Sequence, residues 1–344
     1  MKYTTLANTN LKVSKICLGT MTFGNQNTEN DAHSQLDYAT GRGVNFIDTA
    51  EMYPIGGNAE TFGNTEKHIG SWLKKTRKRD NLVIATKIAG PNRGMTYIRN
   101  PLNFSKKSIT TAVELSLKNL QTDYIDLYQM HWPERVMNMF GQRGVQHIDP
   151  FWTDNILDVL NTFDGLIKAG KIKHIGVSNE NPYGVMRFLM ESEKHNLPKI
   201  VSIQNPYSLL NRLYEVGLSE IALRENIALL AYSPLGFGFL SGKYLDGFPE
   251  KSRMKAFPQF IRYTNENCFK ATKLYKTLAE ENGMTSSEMA LAFVNQQQLV
   301  AATLVGATTL DQLKSNIDAF DVVLSEDVLK EIEKIHELVP NPAP

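Results

Sequence analysis

Val44-Asn45-Phe46-Ile47-Asp48-Thr49-Ala50-Glu51-Met52-Tyr53 is the stretch on which the fold turns. Val44 to Ile47 reads as a short buried strand that stops abruptly on Asp48. Upstream, Asp31 to Arg42 repeats apolar residues at helical spacing (Ala32, Leu36, Ala39), and Gly43 follows as a C-terminal cap requires. The unit is therefore helix, glycine, strand, then a loop bearing Tyr53. A carboxylate at the end of a buried strand is expensive to desolvate and needs a cation or good hydrogen bonds.

The same alternation runs along the chain. Lys15 to Leu18 reads as a first strand, and further strands fall near 44–48, 82–87, 124–130, 172–178, 200–204, 227–232 and 300–305. Further helices fall near 64–76, 106–120, 154–169, 182–195, 214–225, 268–282 and 309–318. Residues 2–14, around Asn8-Thr9-Asn10, read as a hairpin. Short strands dominated by Val, Ile and Leu are those of a buried parallel sheet. Eight such strands, each followed by a helix, in about 300 residues predict a (β/α)₈ TIM barrel, one domain over 1–344, with an N-terminal β-hairpin. A doubly wound sheet would carry G-x-G-x-x-G after its first strand, and Gly19-Thr20-Met21-Thr22-Phe23-Gly24 does not supply it. Three connections are long, 88–104, 132–153 and 236–266. All follow strands, so they belong to the C-terminal face, where barrel active sites lie.

Composition removes several function classes. With 37 basic and 36 acidic residues the net charge is +1, which gives no reason to expect nucleic acid or a membrane surface as partner. No apolar run approaches membrane-spanning length, and Met1-Lys2-Tyr3-Thr4-Thr5 lacks an apolar leader core. Cys17 and Cys268 form no CxxC or disulfide framework, and the seven His residues show no metal-ligand spacing, so no metal is expected. These features read as a reduced, cytoplasmic protein. Oligomeric state is not legible.

If the barrel closes, Asp48, Lys87 and His131 end successive strands at one rim, with Tyr53 on the loop beside them. Such a set suits proton delivery to a carbonyl oxygen. Tyrosine, with a pKa near ~10, is a weak acid at neutral pH. A neighbouring ammonium favours its phenolate, and Asp48 would compensate the buried Lys87. Trp132, Phe151 and Trp152 lie in or beside the long loop after the fourth strand, either lining a substrate pocket or anchoring the loop.

Phe46-Ile-Asp-Thr-Ala-x-x-Tyr53, Ala85-Thr-Lys87, Asp123-Tyr-Ile-Asp-Leu-Tyr128 with His131, and Gly176-Val-Ser-Asn179 resemble the signature blocks of the aldo-keto reductase superfamily, in order and over essentially the whole chain. The resemblance implies NADPH-dependent reduction of a small aldehyde or ketone, with Tyr53 as acid, Lys87 and Asp48 tuning it and His131 orienting the substrate. It implies that Ser178, Asn179 and Gln204 hold the carboxamide of the nicotinamide, that Tyr232 stacks on its ring, and that Gly19, Thr20 and Met21 border it. Around the rest of the dinucleotide it places Ser233, Leu235, Gly238, Ser241, Lys243, Arg262, Gly306, Thr308, Gln312 and Asn316. Two departures concern the adenine end. Ser315 stands where many relatives have Glu, and no basic residue lies near Thr308. The β subunits of voltage-gated potassium channels share this fold and these four residues, so a nucleotide-holding regulatory module with little turnover is the alternative.

Overall fold

Strands without a polar face must be covered on both sides, and a barrel sheathed in helices achieves this. The computed structural model describes all residues except 92–93, 146–149, 151 and 251, so Phe151 lies outside the described residues. The chain opens with β1 (Tyr3–Thr5) and β2 (Lys12–Ser14), paired antiparallel with Thr4 opposite Val13. It continues through β3 (Ile16–Gly19), α1 (Glu29–Gly41), β4 (Phe46–Asp48), α2 (Asn64–Thr76), β5 (Val83–Ile88) and α3 (Lys106–Leu120). Next come β6 (Ile125–Met130), α4 (Ile156–Lys168), β7 (Ile172–Ser178), α5 (Pro182–His195), β8 (Ile200–Pro206) and α6 (Tyr214–Arg224). The last part holds β9 (Ala228–Tyr232), α7 (Arg253–Ala256), α8 (Glu266–Glu281), α9 (Ser286–Gln296), β10 (Val300–Val305), α10 (Leu310–Asp318) and α11 (Glu326–Leu338).

The eight strands from β3 to β10 close in the order β10-β3-β4-β5-β6-β7-β8-β9, every pair parallel. This is the (β/α)₈ barrel that the alternation predicts. The hairpin plugs its N-terminal end. Leu6, Leu11 and Val13 pack on the barrel interior formed by Cys17, Phe46, Leu127, Leu230 and Ala302. The opposite, C-terminal end is therefore the open one.

The alternation expected after the seventh strand needs correction. Two full helices separate β9 from β10, and the one packed against β10 is α9, whereas α8, read from sequence as the seventh barrel helix, packs on α9 and α11. Periodicity passes over α9 because Met289 to Val294 are all buried, so the helix has no polar stripe. Its start is nevertheless written in the sequence as a capping box, Thr285 with Glu288. Among the described residues no helix is long and apolar enough to cross a membrane.

Candidate active site

Register decides which side chains meet at the open end. Gly19 pairs with Asp48, Asp48 with Ala85, and Lys87 with Gln129, so strand ends 2, 3 and 4 of the barrel stand side by side. Asp48 and Lys87 are both buried, and Lys87 Nζ lies 2.5 Å from Asp48 Oδ2. A buried ion pair is tolerable only when its remaining hydrogen-bonding capacity is met. Lys87 also donates to Thr49 O at 2.8 Å, while Asp48 Oδ1 accepts from Gln204 Nε2 at 2.8 Å and Gln129 Nε2 at 3.1 Å.

Tyr53 stands over this pair. Lys87 Nζ is 5.3 Å from the centroid of its ring, and the ring meets that of His131 edge-on at 5.6 Å between centroids. Burial and then the Asp48 charge push the Tyr53 hydroxyl well above its ordinary pKa, with Arg253 opposing them. Desolvation and Asp48 set the direction, opposite to the sequence argument that Lys87 lowers this pKa. The outcome suits a donor all the same, because Tyr53 holds its proton at neutral pH. Burial and then Lys87 drive His131 far below its usual pKa, so the imidazole is neutral. Its Nδ1 is buried with no hydrogen-bond partner among the described residues, so no acceptor among them keeps the ring proton there.

The next strands add a polar rim. Ser178 Oγ donates to Gln204 O at 2.8 Å, and Asn179 Nδ2 donates to His131 O at 2.8 Å. Asn179 adopts φ 53°, a left-handed conformation that Asn tolerates better than most residues. The hydroxyl of Tyr232 donates to Asn179 Oδ1 at 2.6 Å, and burial pushes its pKa up to about 12. This bond fixes the tyrosine ring at the barrel mouth.

Beyond the rim, Thr20 donates to Asp48 O at 2.8 Å, and Met21 O accepts from Ile55 N at 2.8 Å. A Cβ on Gly306 would lie 3.0 Å from Gly19 O, tighter than ordinary contact, whereas one on Gly19 would meet nothing nearer than Val305 O at 3.6 Å. After β9 the chain coils tightly: Ser233 and Gly238 have φ 54° and 93°, and Leu235 O accepts from Gly238 N at 2.9 Å. Ser241 Oγ closes the coil on Gly238 O at 2.7 Å, leaving Lys243 exposed with no carboxylate partner among the described residues. Arg262, by contrast, is engaged. Its Nε donates to Ala343 O at 3.3 Å, and its charge bears on Tyr232. At the start of α10, Gln312 Oε1 accepts from Thr308 N and Oγ1, both at 3.0 Å, so Gln312 caps this turn. Asn316 is buried one helical turn further along.

The model of the aldo/keto reductase family matches residues 15–337. The chain belongs to the aldo/keto reductase family. Protein tas of Escherichia coli (strain K12) is 51% identical over 346 residues, covering 100% of both chains. The uncharacterized oxidoreductase YrpG of Bacillus subtilis (strain 168) is 32% identical over 347 residues, 99% of this chain and 97% of its own. The aldo-keto reductase yakc [NADP(+)] of Schizosaccharomyces pombe is 28% identical over 327 residues, 92% of this chain and 86% of its own.

Within this aldo/keto reductase several groups at the site escaped the sequence reading. Glu51, two residues before Tyr53, is fully buried, accepts from Ala89 N at 2.6 Å and is gripped by both terminal nitrogens of Arg99, at 3.0 and 3.1 Å. That pair ties the loop after β5 to the loop that carries Tyr53. Arg135 holds Glu180 and Asn181 in the same way, docking the loop after β6 beside Asn179. Arg253 stacks over Phe237 and faces Tyr53 with no carboxylate partner among the described residues. The long loop after β9 reaches across the mouth, and Phe257 lies on Gly56, where a Cβ would come within 2.3 Å of its ring. Trp132 donates to Pro91 O at 2.9 Å, so it anchors its loop, with its ring centroid 5.0 Å from that of His131. Trp152 lines a small cavity with Phe104 and Phe188, on the helix side of β6 and β7. Among the described residues no group of three His, Cys, Asp or Glu is placed to hold a metal ion.

Proposed function

We propose that this chain reduces aldehydes or ketones to alcohols with NADPH, with Tyr53 as the general acid. The observation that carries the reading is the buried Lys87–Asp48 pair beneath a protonated Tyr53 and beside a neutral His131. The residues around it suit a dinucleotide: a ring held at the mouth by Tyr232 Oη–Asn179, and amides on rigid strand ends. Ser178, Asn179 and Gln204 would hold the carboxamide, with Tyr232 against the ring and Gly19, Thr20 and Met21 along its edge. The yeast relative named for NADP(+) supports the choice of nucleotide.

A bound reduced nicotinamide supplies the hydride. Tyr53 gives its proton to the carbonyl oxygen and is left as a phenolate. Lys87, with two of its N–H groups on Asp48 and Thr49, keeps a third for that phenolate. Neutral His131 orients the carbonyl by a hydrogen bond, and Asp48 holds the Lys87 side chain in place. Nucleotide-dependent turnover of a panel of carbonyls tests the reading. Retention of nucleotide with negligible turnover on every member would replace it with a nucleotide-holding module.

NADPH is expected to bind more tightly than NADH, since the 2′-phosphate asks for a cation. Of the two cations expected to read it, Lys243 lies over the Tyr244 ring with no carboxylate partner among the described residues, and Arg262 is engaged with Ala343 and Tyr232. A hydrogen bond to a charged group contributes about 1.5–3 kcal/mol. Lys243→Ala is therefore expected to weaken NADPH by roughly 10–100-fold and to leave NADH nearly unchanged. Arg262→Ala is expected to weaken both cofactors alike. Dissociation constants at one fixed salt concentration decide between them. Equal losses of the two cofactors in Lys243→Ala would mean that Lys243 does not read the 2′-phosphate.

A further inference from the structure

We propose that Gln129 is a positioning residue for proton transfer: its amide takes up part of the charge of Asp48 and so leaves the Lys87 ammonium available to the tyrosinate that Tyr53 becomes. The proposal rests on the reading of Tyr53 as the proton donor.

The interior of a barrel is filled in layers by alternate strands, mostly with branched apolar side chains. β4, β6 and β8 are alternate strands, and Asp48, Gln129 and Gln204 form one hydrogen-bonded group between them. Gln129 is fully buried. A buried carboxamide is unfavourable unless its bonds are met, and an aliphatic residue would fill the space at less cost. Both bonds recorded for this amide go to the group. Nε2 donates to Asp48 Oδ1 at 3.1 Å, and Oε1 accepts from Gln204 Nε2 at 3.3 Å.

Asp48 thus has its cation on Oδ2 and two neutral donors on Oδ1. Without those donors the carboxylate would bear more fully on Lys87, opposing the attraction that Lys87 offers the tyrosinate. Gln204 cannot serve alone, because it lies on the rim and a nicotinamide carboxamide competes for it. Gln129, with no exposed surface, keeps its bond whatever binds above. Arg253 on α7 also bears on Tyr53, the Tyr53 hydroxyl in turn bears on Tyr232 on β9, and neutral His131, just after β6, meets the Tyr53 ring edge-on. Cys17 on β3 lies in the field of the Asp48–Lys87 pair. None of these contacts Gln129 by a recorded hydrogen bond, so a change at Gln129 reaches Tyr53 through Asp48 and Lys87.

The test measures the pH profiles of benzaldehyde reduction and benzyl alcohol oxidation in the full-length protein, for wild type, Gln129→Met, Gln129→Glu and Tyr53→Phe. Gln129→Met keeps the length of the side chain and removes the donor. Its expected result is a fall of about tenfold in the reduction plateau. The limb on which reduction is lost with rising pH should move up by about half to one pH unit, because Tyr53 holds its proton more tightly. Alcohol oxidation, which needs the tyrosinate, should fall further at about pH 8, with the NADPH dissociation constant within about twofold of wild type. Gln129→Glu should move the limb further in the same direction. A Gln129→Met profile with its limb unmoved, whatever its rate, overturns the proposal, as does failure of both variants to fold, which would assign the amide to the fold alone. Tyr53→Phe keeps the two readings apart. Normal turnover there sinks the acid assignment, whereas a dead Tyr53→Phe beside an unmoved Gln129→Met limb sinks only the role of Gln129.

Discussion

Tyr53→Phe is expected to lower carbonyl reduction by roughly 10²–10⁴-fold, the usual contribution of a positioned acid, and to change nucleotide affinity and melting temperature little. The substitution removes one oxygen. No hydrogen bond to the Tyr53 hydroxyl is made by the described residues, and its ring keeps its edge-on contact with His131. Nothing buried is therefore left without a partner, and the change falls on kcat rather than on KM. Since burial and Asp48 raise the Tyr53 pKa, the wild-type reduction rate should stay level through neutral pH and decline only on the alkaline side. Steady-state kinetics across pH, with nucleotide binding measured separately, check both statements. Near-normal turnover in Tyr53→Phe would transfer the acid role to another group.

Lys87→Met is expected to damage rate and stability together. Lys87 is the only cation within salt-bridge distance of Asp48 among the described residues, and both groups are buried. Removing one partner of such a pair costs about 3–5 kcal/mol, because the remaining charge is left desolvated. The Gln129 and Gln204 donors remain on Asp48 Oδ1, which places the expected loss toward the lower end of that range. Catalysis suffers separately, since the tyrosinate loses its counter-charge. His131 gives a third readout. Lys87 is one of the two causes that depress its pKa, so in Lys87→Met the imidazole should titrate at higher pH than in wild type. Thermal unfolding, steady-state kinetics and an NMR titration of His131 measure the three effects. An unchanged melting temperature would show that the ion pair adds nothing to the fold.

The barrel and the strand-end residues at its mouth were legible in the sequence for a simple reason. Parallel strands buried on both faces must be short and apolar, so Asp48, Lys87 and His131 stand out at their ends, where an apolar run is interrupted by a charge or an imidazole. The helices α2, α3 and α5 declared themselves through periodicity and terminal signals, whereas α9, apolar on nearly every face, lacked the contrast on which periodicity depends.

What the sequence by itself determined is the order of the barrel strands and which chemistry ends which strand. The tertiary structure alone decided the partners. Glu51 meets Arg99 across 48 residues, and Gln204 meets Asp48 across 156, and no local pattern encodes contacts made between neighbouring strands and loops. It also decided the sign of the Tyr53 shift. Proximity to Lys87 argued for a lowered pKa, but desolvation depends on everything packed around a side chain, and here burial and then Asp48 raise it. The long loops follow the same rule: Phe257 settles on Gly56 and Arg262 on Ala343 because the closed barrel brings distant segments to one mouth. A chain read residue by residue states its charges and its apolar runs, but burial and field are properties of the assembled whole.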